Sequence, residues 1–167
     1  MLKFRGRISF PKLDAAKYTQ ALEDAVETQM RQAAREWLRA VVPKVPVWAG
    51  TSRGSLQPLG RFLRVAIPIN PLVQRKGAGP NVGASKSSFK FERIGRRFIF
   101  SVSTGVDHFI QNNFYEAPNP PFHLKEPTPW KAFEAGEEAY LKYIKENLTK
   151  KIPKIKNFIR YKTIVVG

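Results

Sequence analysis

Pro46-Val47-Trp48-Ala49-Gly50-Thr51-Ser52-Arg53-Gly54-Ser55-Leu56 divides the chain into two kinds of pattern. Apolar residues before it recur with helical period; those after it alternate, as strands do. The stretch itself combines glycines, small hydroxyl residues, an arginine and an indole, and reads as a short turn. The expected fold class is α+β: an antiparallel sheet packed against a long N-terminal helix and a C-terminal helix, with extended N- and C-terminal arms. At 167 residues a single domain, 1–167, is expected, long enough to bury a core.

Upstream, Asp14 has the carboxylate of a helix N-cap. Tyr18, Leu22, Val26, Met30, Ala33, Trp37 and Val41 follow at spacings of four and three, one apolar stripe on a helix. Acids (Glu23, Asp24, Glu27) lie early and arginines (Arg31, Arg35, Arg39) late, as the helix dipole favours. The helix is about 40 Å long at the standard rise, and Pro43 and Pro46 end it. Trp37 belongs to the core on this reading. Residues 1–13 form an N-terminal arm or edge strand that Pro11 closes.

Downstream, Arg61 to Ile69 reads as a strand (Phe62-Leu63-Arg64-Val65-Ala66-Ile67) stopped by Pro68 and Pro71. Residues 75–88 are rich in glycine, alanine and serine with flanking cations, and are expected to be a mobile loop. Gly77-Ala78-Gly79 lacks the third glycine of a dinucleotide fingerprint, and Lys86-Ser87 is no phosphate loop. Phe89–Ile94 and Arg97–Ser103 flank Gly95-Arg96 as a β-hairpin, with Phe89, Phe91, Phe98 and Phe100 available for cross-strand pairs. Pro118–Phe122 is a proline-rich connector. Thr128 and Pro129 are the cap and first residue of a second helix with the stripe Phe133, Gly136, Tyr140, Ile144 and Leu148. Gly136 on that stripe predicts close approach of another backbone. Pro153 ends the helix, and 154–167 is a C-terminal β tail that completes the domain's own sheet or pairs with a neighbouring chain.

Chemistry-bearing clusters are sparse. His108 and His123 stand apart and cysteine is absent, so neither a metal site nor thiolate chemistry is expected. Asp107 and His108 are adjacent on a segment read as extended, which points them to opposite faces and excludes a triad. Glu92, Glu116 and Glu126 are isolated. No catalytic, cofactor or metal residues are assigned, and an enzyme is not expected. No apolar run is long enough for a membrane span, and no membrane partner is expected.

Charge is the outlier: 29 Lys+Arg against 13 Asp+Glu, a net +16. Such a chain seeks polyanions, whether nucleic acid, an anionic membrane surface or an acidic protein face, which net charge does not separate. The cations concentrate in two stretches. One is Arg75, Lys76, Lys86, Lys90, Arg93, Arg96 and Arg97; the other, in the tail, includes Lys154, Lys156, Arg160 and Lys162. These are the candidate partner or DNA contacts.

The order of parts resembles the tail-completion and head–tail joining (neck) proteins of tailed bacteriophages. The carriers are the long first helix and the turn Pro46-Val47-Trp48-Ala49-Gly50 with Ser52-Arg53-Gly54-Ser55-Leu56. The glycine-rich loop follows, then Tyr115-Glu116-Ala117-Pro118 with Pro120-Pro121-Phe122, and Trp130-Lys131-Ala132-Phe133 at the second helix. The match covers residues 14–148; Ala49 stands where the family usually has threonine, and the tail lies outside it. The resemblance implies a non-enzymatic virion protein, made in the host cytoplasm. It would assemble as a homo-oligomeric ring, a hexamer or dodecamer, in the neck. Its partners would be portal or adaptor proteins and tail-tube or tail-terminator proteins, with non-specific proximity to packaged DNA. The alternative is a basic nucleic-acid-binding protein without catalytic activity.

Overall fold

The computed structural model describes residues 6–95, 97–114 and 129–166. The elements run β1 (Gly6–Leu13), α1 (Ala15–Lys44), α2 (Thr51–Gly54), α3 (Gln57–Leu63), α4 (Pro80–Ser85), β2 (Ser87–Ile94), β3 (Arg97–Thr104), α5 (Asp107–Phe114), α6 (Ala132–Lys151) and β4 (Ile159–Val166). A 3-10 turn, Ile155–Phe158, precedes β4. The α+β expectation holds, but in place of one sheet there are two antiparallel pairs, β1 with β4 and β2 with β3.

Asp14 caps α1, its carboxylate accepting from the Lys17 amide at 3.3 Å. Ala33, Trp37 and Val41 of the stripe are buried, joined by Ala34, Leu38 and Val42, so burial is concentrated in the C-terminal half of the helix. Pro43 sits inside the last turn, and α1 ends at Val45 rather than breaking earlier. Helix α6 crosses α1 at Gly136, where an added Cβ would stand 2.6 Å from both Trp37 Nε1 and Val41 Cγ2. The close approach is thus present, but what Gly136 meets is the side chains of Trp37 and Val41 rather than the backbone expected. The hairpin lays Phe100 against Trp37 (centroids 6.0 Å, edge-on) and Tyr140 (6.0 Å, stacked), which closes the core.

Besides the sheet, and besides Pro11, which lies within β1 rather than closing it, four expectations need correction. The central stretch is not a simple turn: it carries α2 and leads into α3. The strand expected at 61–69 is instead the end of α3 followed by extended chain. Leu56, Leu59 and Leu63 recur at helical spacing and all are buried, and Pro58 opens the helix as prolines can. Arg64, in left-handed conformation (φ 56°), ends it, and Arg35 Nε donates to the Leu63 carbonyl at 2.8 Å. Pro68 and Pro71 then lack the amide donors that a ladder needs.

The third correction concerns 75–88. Its second half is helix α4, seated on α2 by direct backbone contact. A Cβ on Gly83 would lie 1.9 Å from the Thr51 carbonyl oxygen, and one on Gly54 would lie 2.4 Å from that of Pro80. The Thr51 hydroxyl accepts from the Gly79 amide at 2.8 Å. The glycines that read as slack are therefore the contact surface.

Fourth, α6 starts at Ala132, not at Pro129; the expected cap, Thr128, lies outside the described residues. Fully buried Asn113, at the end of α5, supplies the cap: its Oδ1 accepts from the Ala132 amide at 2.7 Å and the Phe133 amide at 3.2 Å. The tail pairs with the chain's own N-terminal strand, Gly6 opposite Val166 through Leu13 opposite Ile159.

Candidate functional site

The central stretch, the chain after it and α5 together wall a cavity of about 320 Å³. Trp48 and Thr51 come from the central stretch, Arg75 from the following segment, His108 and Asn112 from α5, and Trp130 from the approach to α6. Helical spacing explains α5: His108 and Asn112, four apart, reach the cavity, while Val106, Phe109 and Asn113 are buried in the core. The segment read as extended is thus a helix, and the opposite-face argument about Asp107 and His108 does not apply to it.

The loop side of the cavity is held by backbone. The Leu72 amide donates to the Trp48 carbonyl at 2.8 Å and the Trp130 amide to the Asn112 carbonyl at 2.8 Å. Arg53, the arginine of the central stretch, faces inward: Nε donates to the Val45 carbonyl at 2.8 Å and Nη1 to the Pro68 carbonyl at 3.1 Å. It ties the end of α1 to the extended chain. The buried Trp130 Nε1 has no hydrogen-bond partner among the described residues.

A second hollow of about 310 Å³ shares Thr51, Arg75, Ala78 and His108 with the first and adds Lys76, Lys86 and Asp107. Loss of solvent around His108 pushes its imidazole below the ordinary value; Asp107 pulls it back up and Lys86 pushes it down. The ring therefore tends to the neutral form at neutral pH.

Of the candidate contact residues, Arg75, Lys76 and Lys86 meet at this hollow. Lys90 and Arg97 are exposed on the hairpin. Arg93, on the same hairpin, is engaged: both terminal nitrogens pair with the Glu23 carboxylate of α1, and its guanidinium lies 5.8 Å from the Phe98 ring centroid. Arg96 lies outside the described residues. Lys154 and Lys156 are exposed before β4, and Arg160 pairs with Asp14 at 3.6 Å. Lys162 sits in β4 opposite Phe10. Among the described residues the two basic stretches are thus divided among three places, and of these only the first trio shares a hollow.

Trp48, His108, Asn112 and Trp130 were not singled out as a site by sequence reading. The available signal was the helical spacing of Val106, Phe109 and Asn113, which puts His108 and Asn112 on another face together. Among the described residues no group of three His, Cys, Asp or Glu side chains is placed to hold a metal ion, and no helix is long and apolar enough to cross a membrane. No family model, curated protein or solved structure matches the chain.

Proposed function

We propose that the chain is a structural virion protein that forms a ring in the neck of a tailed phage, joining the head connector to the tail, without catalytic activity. The order of parts carries this reading: a long amphipathic helix, the glycine-rich central stretch, a hairpin and a second helix packed on the first. Open strand edges support it. Each sheet has only two strands among the described residues, so backbone donors and acceptors stay available to neighbouring copies. Head-to-tail pairing through such edges closes into a ring when the rotation per copy permits.

Light scattering of the purified chain, with imaging of the particles, tests the proposal. Closed rings of six or twelve copies, alone or on addition of portal complexes, are the expected result. A monomer that joins no particle, even at high concentration and with portal present, refutes it. The second reading, a nucleic-acid-binding protein, is favoured by the exposed Lys90 and Arg97 on the hairpin. Duplex titration at two salt concentrations separates the two. The ring reading expects weak, salt-sensitive binding indifferent to sequence. A preference of about a hundredfold for one sequence, surviving added salt, favours the second.

A further inference from the structure

The cavity and its cationic neighbour have complementary linings. Trp48, Ala49, Ala78 and Trp130 give the first an apolar wall. Arg75, Lys76 and Lys86 give the second a positive rim, with Asp107 the acid on it. None of those three cations has an ion-pair partner among the described residues. We propose that this double hollow docks an acidic segment of a partner protein, one apolar side chain entering between the indole-bearing walls and a neighbouring carboxylate meeting Arg75, Lys76 and Lys86. The proposal is independent of ring formation.

Three physical points select that occupant. Unpaired cations beside a partly desolvated wall favour an anion, and a guanidinium with free donors can hold a carboxylate through two bonds. A duplex is too wide for a hollow of about 320 Å³ and would reach only its rim. A single nucleotide base fits by size but brings ring and exocyclic polar groups that need partners. On that wall the Thr51 hydroxyl already accepts from Gly79 and the Ser52 carbonyl accepts from Ser55 Oγ. His108, Asn112 and Trp130 Nε1, which has no partner among the described residues, remain, and comparison with an oligothymidylate tests whether they suffice for a base. An aliphatic or aromatic side chain makes no such demand.

The test uses the full chain and a blocked five-residue peptide alternating glutamate with phenylalanine, titrated by calorimetry and by tryptophan fluorescence. Its glutamine analogue and an oligothymidylate serve as comparisons. Charge reversal at the hollow, Arg75→Glu with Lys86→Glu, is set against the same charge change on the hairpin, Lys90→Glu with Arg97→Glu. All four residues are exposed, so both double variants should fold, which circular dichroism checks. The expected result is saturable binding of the acidic peptide, weakened about tenfold or more by the first pair and by the glutamine analogue, and little changed by the second pair. Equal weakening by both double variants would reduce the effect to net charge and overturn the proposal. So would absence of binding at about 1 mM peptide, or displacement of the peptide by a tighter-binding oligothymidylate with the same dependence on Arg75 and Lys86.

Discussion

Replacing Asn113 by alanine tests how far the start of α6 depends on one amide side chain from α5. Asn113 is fully buried, and its Oδ1 accepts from the Ala132 and Phe133 amides, while its Nδ2 donates to Glu134 Oε2 at 3.3 Å. Truncation removes the acceptor and leaves buried donors behind. A lost cap costs about 1–2 kcal/mol, and each buried amide left without a partner about 1–3 kcal/mol. The two figures describe overlapping losses, so the expected cost is about 3 kcal/mol rather than their sum. For a chain of this size that lowers the melting temperature by about 6–12 °C. The fold should survive, since typical stabilities are about 5–15 kcal/mol. Chemical denaturation with thermal melting measures the loss, and hydrogen exchange should show it first at residues 130–135. Asn113→Asp keeps the acceptor and meets the positive end of α6, but sets a charge against Glu134. It should therefore cost less than alanine, and adding Glu134→Gln should recover part of the difference. If aspartate costs as much as alanine, or if alanine costs under about 1 kcal/mol, the cap reasoning fails.

Gly83→Ala would put a methyl 1.9 Å from a backbone oxygen, which no rotamer change relieves; we expect a loss of about 3 kcal/mol, with faster hydrogen exchange in residues 79–86. Gly136→Ala gains about 1 kcal/mol of helix propensity but crowds Trp37 and Val41 at 2.6 Å, so denaturant titration should find it net destabilised, and a stabilised variant would mean that α6 does not sit this close to α1. His108 is held below its ordinary pKa chiefly by loss of solvent, against Asp107 and together with Lys86. The unfolded chain then takes up the proton first, so stability falls as pH drops below about 6.5. Urea midpoints at pH 8 and pH 5 should differ less in His108→Gln than in the parent, and an equal difference would exclude His108 as the source.

The parts legible in the sequence were those whose signal is local. The stripe Ala33, Trp37, Val41, the Asp14 cap and the alternation across Phe89–Ile94 and Arg97–Ser103 each lie within one element, and each appears where expected. The misreadings share another cause. Phe62 to Ile67 alternates well enough for a strand, but Leu56, Leu59 and Leu63 carry a competing helical period that overlaps it and that burial selects. Glycines in 75–88 counted as flexibility because composition is averaged along the chain. Their role becomes visible only when α2, some thirty positions earlier, lies against them. The cap of α6 came from Asn113, across a segment that sequence reading could not fold. The cavity is non-local in the same way, with walls from the central stretch, the following loop, α5 and the approach to α6.

Net charge failed to name a partner for a related reason: cations of two types are used differently. Arg31, Arg39, Arg93 and Arg160 pair with acids, and Arg35 and Arg53 donate to backbone carbonyls. Among the described lysines, Lys17 alone has an ion-pair partner, Asp14 at 4.0 Å. The difference follows from chemistry, because a guanidinium offers several donors in a fixed fork and sheds its water more readily than an ammonium. Much of the arginine content is thus consumed in holding helices, hairpin and termini together, and lysine dominates the remaining positive surface. A lysine-rich surface attracts any anion without demanding geometry, which fits weak, salt-sensitive contact with DNA. Arg75 departs from this division. Its guanidinium, like those of Arg61, Arg64 and Arg97, has no partner among the described residues, and it stands with Lys76 and Lys86 on the rim of a hollow that continues into an apolar cavity. Orientation as well as charge is available there, so a specific partner is expected at that place and not from the +16 as a whole.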